Sequence, residues 1–220
     1  MRRPVLIAVG AAAVVLLLLV IAQLVLPGIA AQKIRDRLSR SGQVLHVEVS
    51  AFPAIQLLWH QADHVLVRMA GYRSDSATLS DNLKQVADVG TLDASANVFS
   101  SGLLTVRNAS LQKRGNQLTA TATITEADLR SSLPVLESVQ PVSSSGGTLT
   151  LQGTANVLGV RATVDATVRP QNGALVVSPD VPFGGLATIT LFSNPTIAVT
   201  ALSASPVPGG FVLTTHAVVR

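Results

Sequence analysis

Residues 42–69 read GQVLHVEVSAFPAIQLLWHQADHVLVRM, and this stretch decides the fold class. Leu45, Val47, Val49 and Ala51 alternate with Val44, His46, Glu48 and Ser50. That period of two is the pattern of a strand with one face buried. Phe52-Pro53 interrupts it, because proline lacks the amide that a strand ladder needs. Alternation resumes at Asp63 and runs through Val65, Val67 and Met69. Between the two strands lies a short apolar patch, Ala54 to Trp59.

The same pattern extends downstream. Leu92, Ala94, Ala96 and Val98 predict another strand, after a short helix over 79–86. Residues 104–111 and 118–125 predict a hairpin about Arg114-Gly115-Asn116. Thr125-Glu126-Ala127-Asp128 predicts a helix start, with a hydroxyl cap and acids in the first turn. That helix is expected to stop before Pro134. Residues 142–147 read as a Ser/Gly loop. Residues 148–157 and 160–168 predict a second hairpin, and 174–177 continues it after Gln171-Asn172-Gly173. The tail alternates at 197–199 and 211–218 about the turn Pro206 to Gly210. No βαβ rhythm and no short repeat is visible, so an antiparallel sheet is expected. Several strands put aliphatics on one face and Ser or Thr on the other. Such a sheet is compatible with a filled interior or a hollow one.

Working upstream, Gly42 reads as a helix C-cap. Residues 28–41 predict an amphipathic helix, with Ala30, Ala31, Ile34 and Leu38 on one side. Lys33, Arg35, Arg37 and Arg40 fall between them, on a face available to lipid headgroups. Before Pro27 comes Val5 to Leu26, 22 residues interrupted only by the polar Gln23. About 20 apolar residues cross the hydrocarbon core of a bilayer. We therefore expect residues 1–26 to be a transmembrane anchor or uncleaved signal. A weak small-residue site at Gly28-Ile29-Ala30 leaves cleavage as the alternative. Residues 27–220 are expected to form a single β-rich domain on the extracytoplasmic side of the cell membrane. A long domain that follows a first apolar segment translocates largely regardless of flanking charge.

The charge distribution supports this division. The chain has a net charge of +4, yet residues 1–40 alone carry +5 and the remainder −1. Arg2, Arg3, Lys33, Arg35, Arg37 and Arg40 bracket the apolar run, as suits anionic headgroups. The rest is near neutral and only 3 % of the chain is aromatic, which argues against nucleic acid as a partner. There is no cysteine, hence no disulfide, thiolate metal site or cysteine nucleophile.

The order of these features resembles the LmeA-like family of actinobacterial envelope proteins. The resemblance rests on Leu26-Pro27 leading into a charged helix that ends at Arg37-Leu38, and on the Val47-x-Val49 strand. It continues with Phe52-Pro53-Ala54-Ile55-Gln56-Leu57-Leu58, Asp63-His64-Val65 and the helix start at Thr125 to Leu129. Pro182-Phe183-Gly184 and Gly210-Phe211-Val212-Leu213 complete it. The sequence departs from the family pattern at Trp59-His60, where a small or glycine-containing turn is usual. The resemblance implies an α+β fold in which a strongly curved antiparallel sheet packs on a long N-terminal helix, similar to tubular lipid-binding domains. It also implies phospholipid as a partner, a periplasmic location and support for envelope glycolipid assembly of the lipomannan type.

Little in the sequence suggests catalysis. His60-Gln61-Ala62-Asp63-His64 lacks the glutamate of a zinc-protease helix, and Asp63-His64 enters a strand. His46 adds a third imidazole but no carboxylate cluster, so no metal site is expected. No nucleophile elbow or phosphate-binding glycine loop is present. We expect a non-enzymatic protein without cofactor. The candidate lipid contacts are Phe52, Pro53, Ile55, Leu57, Leu58 and Trp59, which read either as the wall or mouth of a lipid site or as a core-filling loop. Lys33, Arg35, Arg37 and Arg40 are the candidate membrane-surface residues. The alternative function is a scaffold for envelope biosynthesis enzymes, and the oligomeric state is left open.

Overall fold

The computed structural model describes residues 23, 25–52, 57, 61–101, 104–132, 136–157, 160–180 and 188–220. Helix α1 is described over residues 25–38. Strands β1 (Gly42–Ser50) and β2 (Ala62–Ser74) follow, then helix α2 (Ser76–Gln85). Next come β3 (Val89–Ser101), β4 (Leu104–Arg114), β5 (Gln117–Thr125) and helix α3 (Glu126–Ser132). A meander of β6 (Leu136–Ser145), β7 (Thr148–Val157), β8 (Val160–Gln171), β9 (Ala174–Asp180) and β10 (Ile189–Phe192) leads to β11 (Ile197–Val207) and β12 (Gly210–Val219).

These strands form two open sheets among the described residues, neither closed into a barrel. The larger has seven strands in the order β1-β2-β3-β4-β5-β12-β11; the smaller has five in the order β10-β9-β8-β7-β6. The chain leaves the large sheet after β5, builds the small one, and returns so that β12 pairs with β5. The expected single antiparallel sheet is corrected on two counts. There are two sheets, and β2 pairs with β3 in parallel across α2, which makes β2-α2-β3 a βαβ unit. The Ser/Gly stretch 142–147 is also not a loop. Its first four residues belong to β6, and only Gly146-Gly147 turns.

Turn chemistry explains the tight connections. Gly146 and Gly147 both have positive φ (59° and 77°), as do Asn172 and Gly173 (53° and 82°). This is the two-residue turn whose twist matches that of paired strands. At α3 the cap works as the sequence predicts. The Asp128 amide donates to Thr125 Oγ1 (3.1 Å), and the Thr125 hydroxyl donates to Asp128 Oδ2 (2.6 Å). Arg107 on β4 grips the same carboxylate with two hydrogen bonds of 2.8 and 3.0 Å.

Helices α1 and α2 cover one face of the large sheet. Ala30, Ala31, Ile34 and Leu38 of α1, with Leu79 and Leu83 of α2, pack on a core that includes Val47, Val49, Val65, Val67, Met69 and Leu92. Their near-regular three-to-four spacing is what brings the α1 residues to one side. Between the two sheets, Val106, Ile124 and Phe211 meet Val139 and Leu151, while Leu202 meets Leu149 and Val168. Phe211, Leu149 and Leu202 are the most deeply buried large side chains, and burial stabilises each by about 1.5–3 kcal/mol. The sheets also join at an edge. Outward amides of β11 donate to two turns and one strand of the small sheet: Val199 to Gly173 O (2.9 Å), Leu202 to Gly147 O (3.1 Å) and Ala204 to Oγ of Ser144 on β6 (3.2 Å).

Four bulges interrupt the large sheet among the described residues, at Val44/His46 on β1, Met69/Gly71 on β2, Arg107/Ser110 on β4 and Val199/Ala201 on β11. Each adds one residue to its strand, so the buried positions slip from 65, 67 and 69 to 72 and 74 along β2. In β4 the bulge includes Asn108 at a φ of 49°, in the left-handed region that asparagine tolerates.

One buried cation stands in the core face of β4. Lys113 is 3 % exposed, and its ammonium donates to the carbonyls of Val89 and Ala87, closing the turn from α2 into β3. Burial pulls its pKa down, and Asp88 partly opposes that.

Two predictions follow from this frame. The Arg107 hydrogen bonds hold the Asp128 carboxyl below its ordinary value, with help from Thr125 and against the effect of burial. A carboxylate depressed in the folded state stabilises above its unfolded value, near pH 4, and loses that contribution as pH falls through the folded value. Asp128→Asn is therefore expected to lower stability at pH 7, with the gap to wild type shrinking below about pH 4 in urea unfolding. An equal gap at pH 7 and pH 3 would contradict this. The second concerns Gly42, which does not cap α1 in a left-handed turn. Ser39, Arg40 and Ser41 close the helix through backbone bonds to Arg35, Arg37 and Leu38. Gly42 starts β1, and a Cβ there would lie 2.0 Å from the Gly71 carbonyl oxygen. Gly42→Ala is expected to cost about 2–4 kcal/mol, read from the shift in the unfolding midpoint.

Candidate functional site

The outward side of α1 carries a stripe that changes character along its length. Val25 and Ile29 lie near its start and are 49 % and 58 % exposed. Lys33, Arg35, Arg37 and Arg40 follow, all exposed. Helical spacing places Val25, Ile29, Lys33, Arg37 and Arg40 along one side. Asp36 is the one carboxylate among them, and it accepts a bond from Gln32 (2.8 Å). Arg37 donates to Gln85 of α2 (2.7 Å), tying the two helices together at the surface. A shallow cleft of about 500 Å³ runs along Ile29, Lys33, Arg37 and Arg40. So the structure brings three of the four predicted membrane-surface cations, Lys33, Arg37 and Arg40, onto one groove, with the apolar Ile29 at its other end.

Of the predicted apolar contacts, Pro53, Ile55, Leu58 and Trp59 lie outside the described residues. Phe52 and Leu57 are described, and they have opposite surroundings. Phe52 is 80 % exposed, on a backbone whose amide donates to Asp63 Oδ2 (2.6 Å). Leu57 is half-buried and packs against the core beneath α1 and α2. The preceding residue, Ala51, accepts a bond from Gln23 (3.3 Å), which places the exposed Phe52 beside the chain entering α1. Phe52, Val25 and Ile29 are thus exposed apolar groups at one end of the helix. The predicted transmembrane run, 5–26, falls almost wholly outside the described residues. Among the described residues no helix is long and apolar enough to cross a membrane.

A second open cleft, of about 420 Å³, lies where α1 hands over to β1 across the β2 bulge. Arg40 and Arg73 are exposed in it, and Ser41, Gln43 and Ser100 are further polar residues of its lining. The Arg73 amide donates to the Ser41 carbonyl (2.6 Å), so the strand carrying one arginine is fastened beside the turn carrying the other. Behind it, Tyr72 stacks on Phe99 at 5.7 Å between ring centres, and its hydroxyl accepts from Asn82 (2.8 Å). Sequence reasoning missed Arg73 and Tyr72, since the alternation was followed only to Met69, where the bulge breaks it.

Of the three histidines weighed for a metal site, His60 lies outside the described residues, and His46 and His64 have separate partners. His46 lies 3.7 Å from Glu48, and His64 bonds Thr91 (2.9 Å). Among the described residues no three His, Cys, Asp or Glu side chains gather as a metal site would require.

A helix with an apolar-to-cationic outer face, laid on an aliphatic sheet, is a surface suited to lipid. The comparison with protein families agrees: the LmeA-like phospholipid-binding family matches residues 19–211. The chain belongs to that family. The match runs from the apolar run before α1 to the first residues of β12, and so takes in both clefts and both sheets. No curated protein and no solved structure matches the chain. Membership in the LmeA-like family supports lipid binding, with phospholipid as the partner.

The contrast between Phe52 and Leu57 is testable. Phe52→Ser removes a solvent-facing ring and is expected to change stability by no more than about 0.5 kcal/mol. Leu57→Ala removes core contacts and is expected to cost about 1–2 kcal/mol, the half-buried share of a leucine truncation. Thermal unfolding of both variants decides it. A large loss for Phe52→Ser would show that this ring is structural.

Proposed function

We propose that this LmeA-like protein is a non-catalytic phospholipid-binding protein of the cell envelope, anchored through residues 5–26 with its domain on the extracytoplasmic side. The family match over 19–211 carries the lipid reading. Its anchored form is supported by the 22-residue apolar run, which includes Val25, and by the exposed residues that succeed it on α1, first Ile29, then Lys33, Arg37 and Arg40. An apolar end and a cationic continuation suit the depth profile of a bilayer face, hydrocarbon first and phosphate next. Each Lys or Arg near an anionic leaflet contributes about 1 kcal/mol, and each methylene buried from water about 0.8 kcal/mol. Phe52, beside the start of α1, extends the apolar end. In this reading the protein presents or holds phospholipid for enzymes that build envelope glycolipids of the lipomannan type, and those enzymes are its protein partners.

The test is native mass spectrometry of the full chain released from neutral detergent micelles. Bound masses matching phospholipid are expected, and they are expected to fall several-fold in Lys33→Glu with Arg37→Glu. Spectra of the wild-type chain that hold detergent alone, before and after adding phosphatidylglycerol, would remove the lipid reading.

A further inference from the structure

The second cleft has the composition of an anion site. Among the described residues its lining contains two guanidinium groups, two serine hydroxyls and one amide, and no carboxylate. Neither Arg40 nor Arg73 has an ion pair among the described residues, in contrast to Arg107 and Arg114, which hold Asp128 and Asp93. Both arginines are exposed and line one cleft, and an anion bound between them would offset their mutual repulsion. The backbone bond from Arg73 N to Ser41 O and the close approach of Gly42 to Gly71 fix the two segments together. On the opposite face of β2, Tyr72 is buried, stacked on Phe99 and bonded to Asn82, which holds in place the strand that carries Arg73.

We propose that this cleft is a headgroup subsite in which Arg40 and Arg73 together hold the phosphodiester of a phospholipid. The proposal rests on the phospholipid-binding reading and adds a place and a geometry to it. A guanidinium offers a planar fork that matches two phosphate oxygens, so a pair of them can grip both free oxygens of a diester. Ser41 and Gln43 stand at the rim to meet the polar part of the headgroup. The neighbouring groove on α1 shares Arg40 and runs toward Ile29 and Val25, which gives the lipid's apolar part a direction to lie along. Among the described residues that line this groove Asp36 is the one carboxylate, and it is engaged by Gln32.

The experiment titrates the full chain in neutral detergent with dihexanoyl phosphatidylglycerol, and separately with inorganic phosphate. Arg40→Gln with Arg73→Gln is expected to weaken binding of the short-chain lipid roughly tenfold, while Arg169→Gln on β8 leaves it unchanged. Arg40→Lys with Arg73→Lys keeps the charge and loses the fork, and is expected to behave like the glutamine pair. Both arginines are exposed, so unfolding midpoints should match wild type. Full binding by the lysine pair would reduce the cleft to diffuse charge and overturn the proposal. So would equal binding by the glutamine pair and the Arg169 control. Binding of phosphate that depends on Arg40 and Arg73, without binding of the lipid, would make the site one for free phosphate and overturn the lipid assignment. If the glutamine pair binds as wild type does while copurified phospholipid persists, the subsite falls and the broader function stands.

Discussion

The burial of one face of the seven-stranded sheet beneath α1 and α2 is the constraint on which the rest depends. Valines at 47, 49, 65 and 67 make that face too apolar to leave in water, and a sheet face must be covered by another layer. Small residues make the cover possible. Ala30 and Ala31 let α1 lie close to the strands, while Ile34 and Leu38 fill the remaining space. Once this side is committed, the helix can present only its other side to the surroundings. The exposed apolar and cationic stripe is therefore a by-product of where the alanines are, and the chemistry of the helix's outer side is fixed by core packing.

The handover from α1 to β1 shows how little tolerance the arrangement has. Gly42 lies against the Gly71 carbonyl at a point where β2 carries an extra residue. The bulge lets Tyr72 take up the buried positions that Val65, Val67 and Met69 hold further down, and it leaves Arg73 outside. A strand without the bulge would reverse those two side chains. The same one-residue insertion therefore turns the aromatic ring into the core and the guanidinium out to the surface.

Much of this was legible in the sequence because it is local. Alternation located β1, β2, β5 and the final hairpin, the 3.6-residue spacing of alanine and leucine located α1, and Thr125 with Asp128 marked α3. What escaped is long-range. A period of two records which face a residue takes but not which strand lies next to it, so the parallel pairing of β2 with β3 was invisible even though α2 had been read between them. Nor does alternation reveal that β6 to β10 separate into a second sheet. Gly42 was legible as a glycine in need of explanation, yet the reason lay 29 positions away, at Gly71. In the candidate site, the α1 cations stand where their spacing put them. Arg73 escaped because its partner in the cleft is set by the bulge, and nothing local marks a bulge at Ala70-Gly71.

The capture of β11 by the small sheet's turns has a consequence for how the molecule breathes. In ladder terms β11 is a margin, and the amides of a margin exchange freely with solvent. Here the outward amides of Val199, Leu202 and Ala204 are occupied by Gly173, Gly147 and Ser144. Fraying of that margin must therefore draw the two hairpin turns away with it, and lifting of the small sheet must strip the margin. Local opening of β11 and separation of the sheets become one event with one free energy, so the two layers behave as a single cooperative unit.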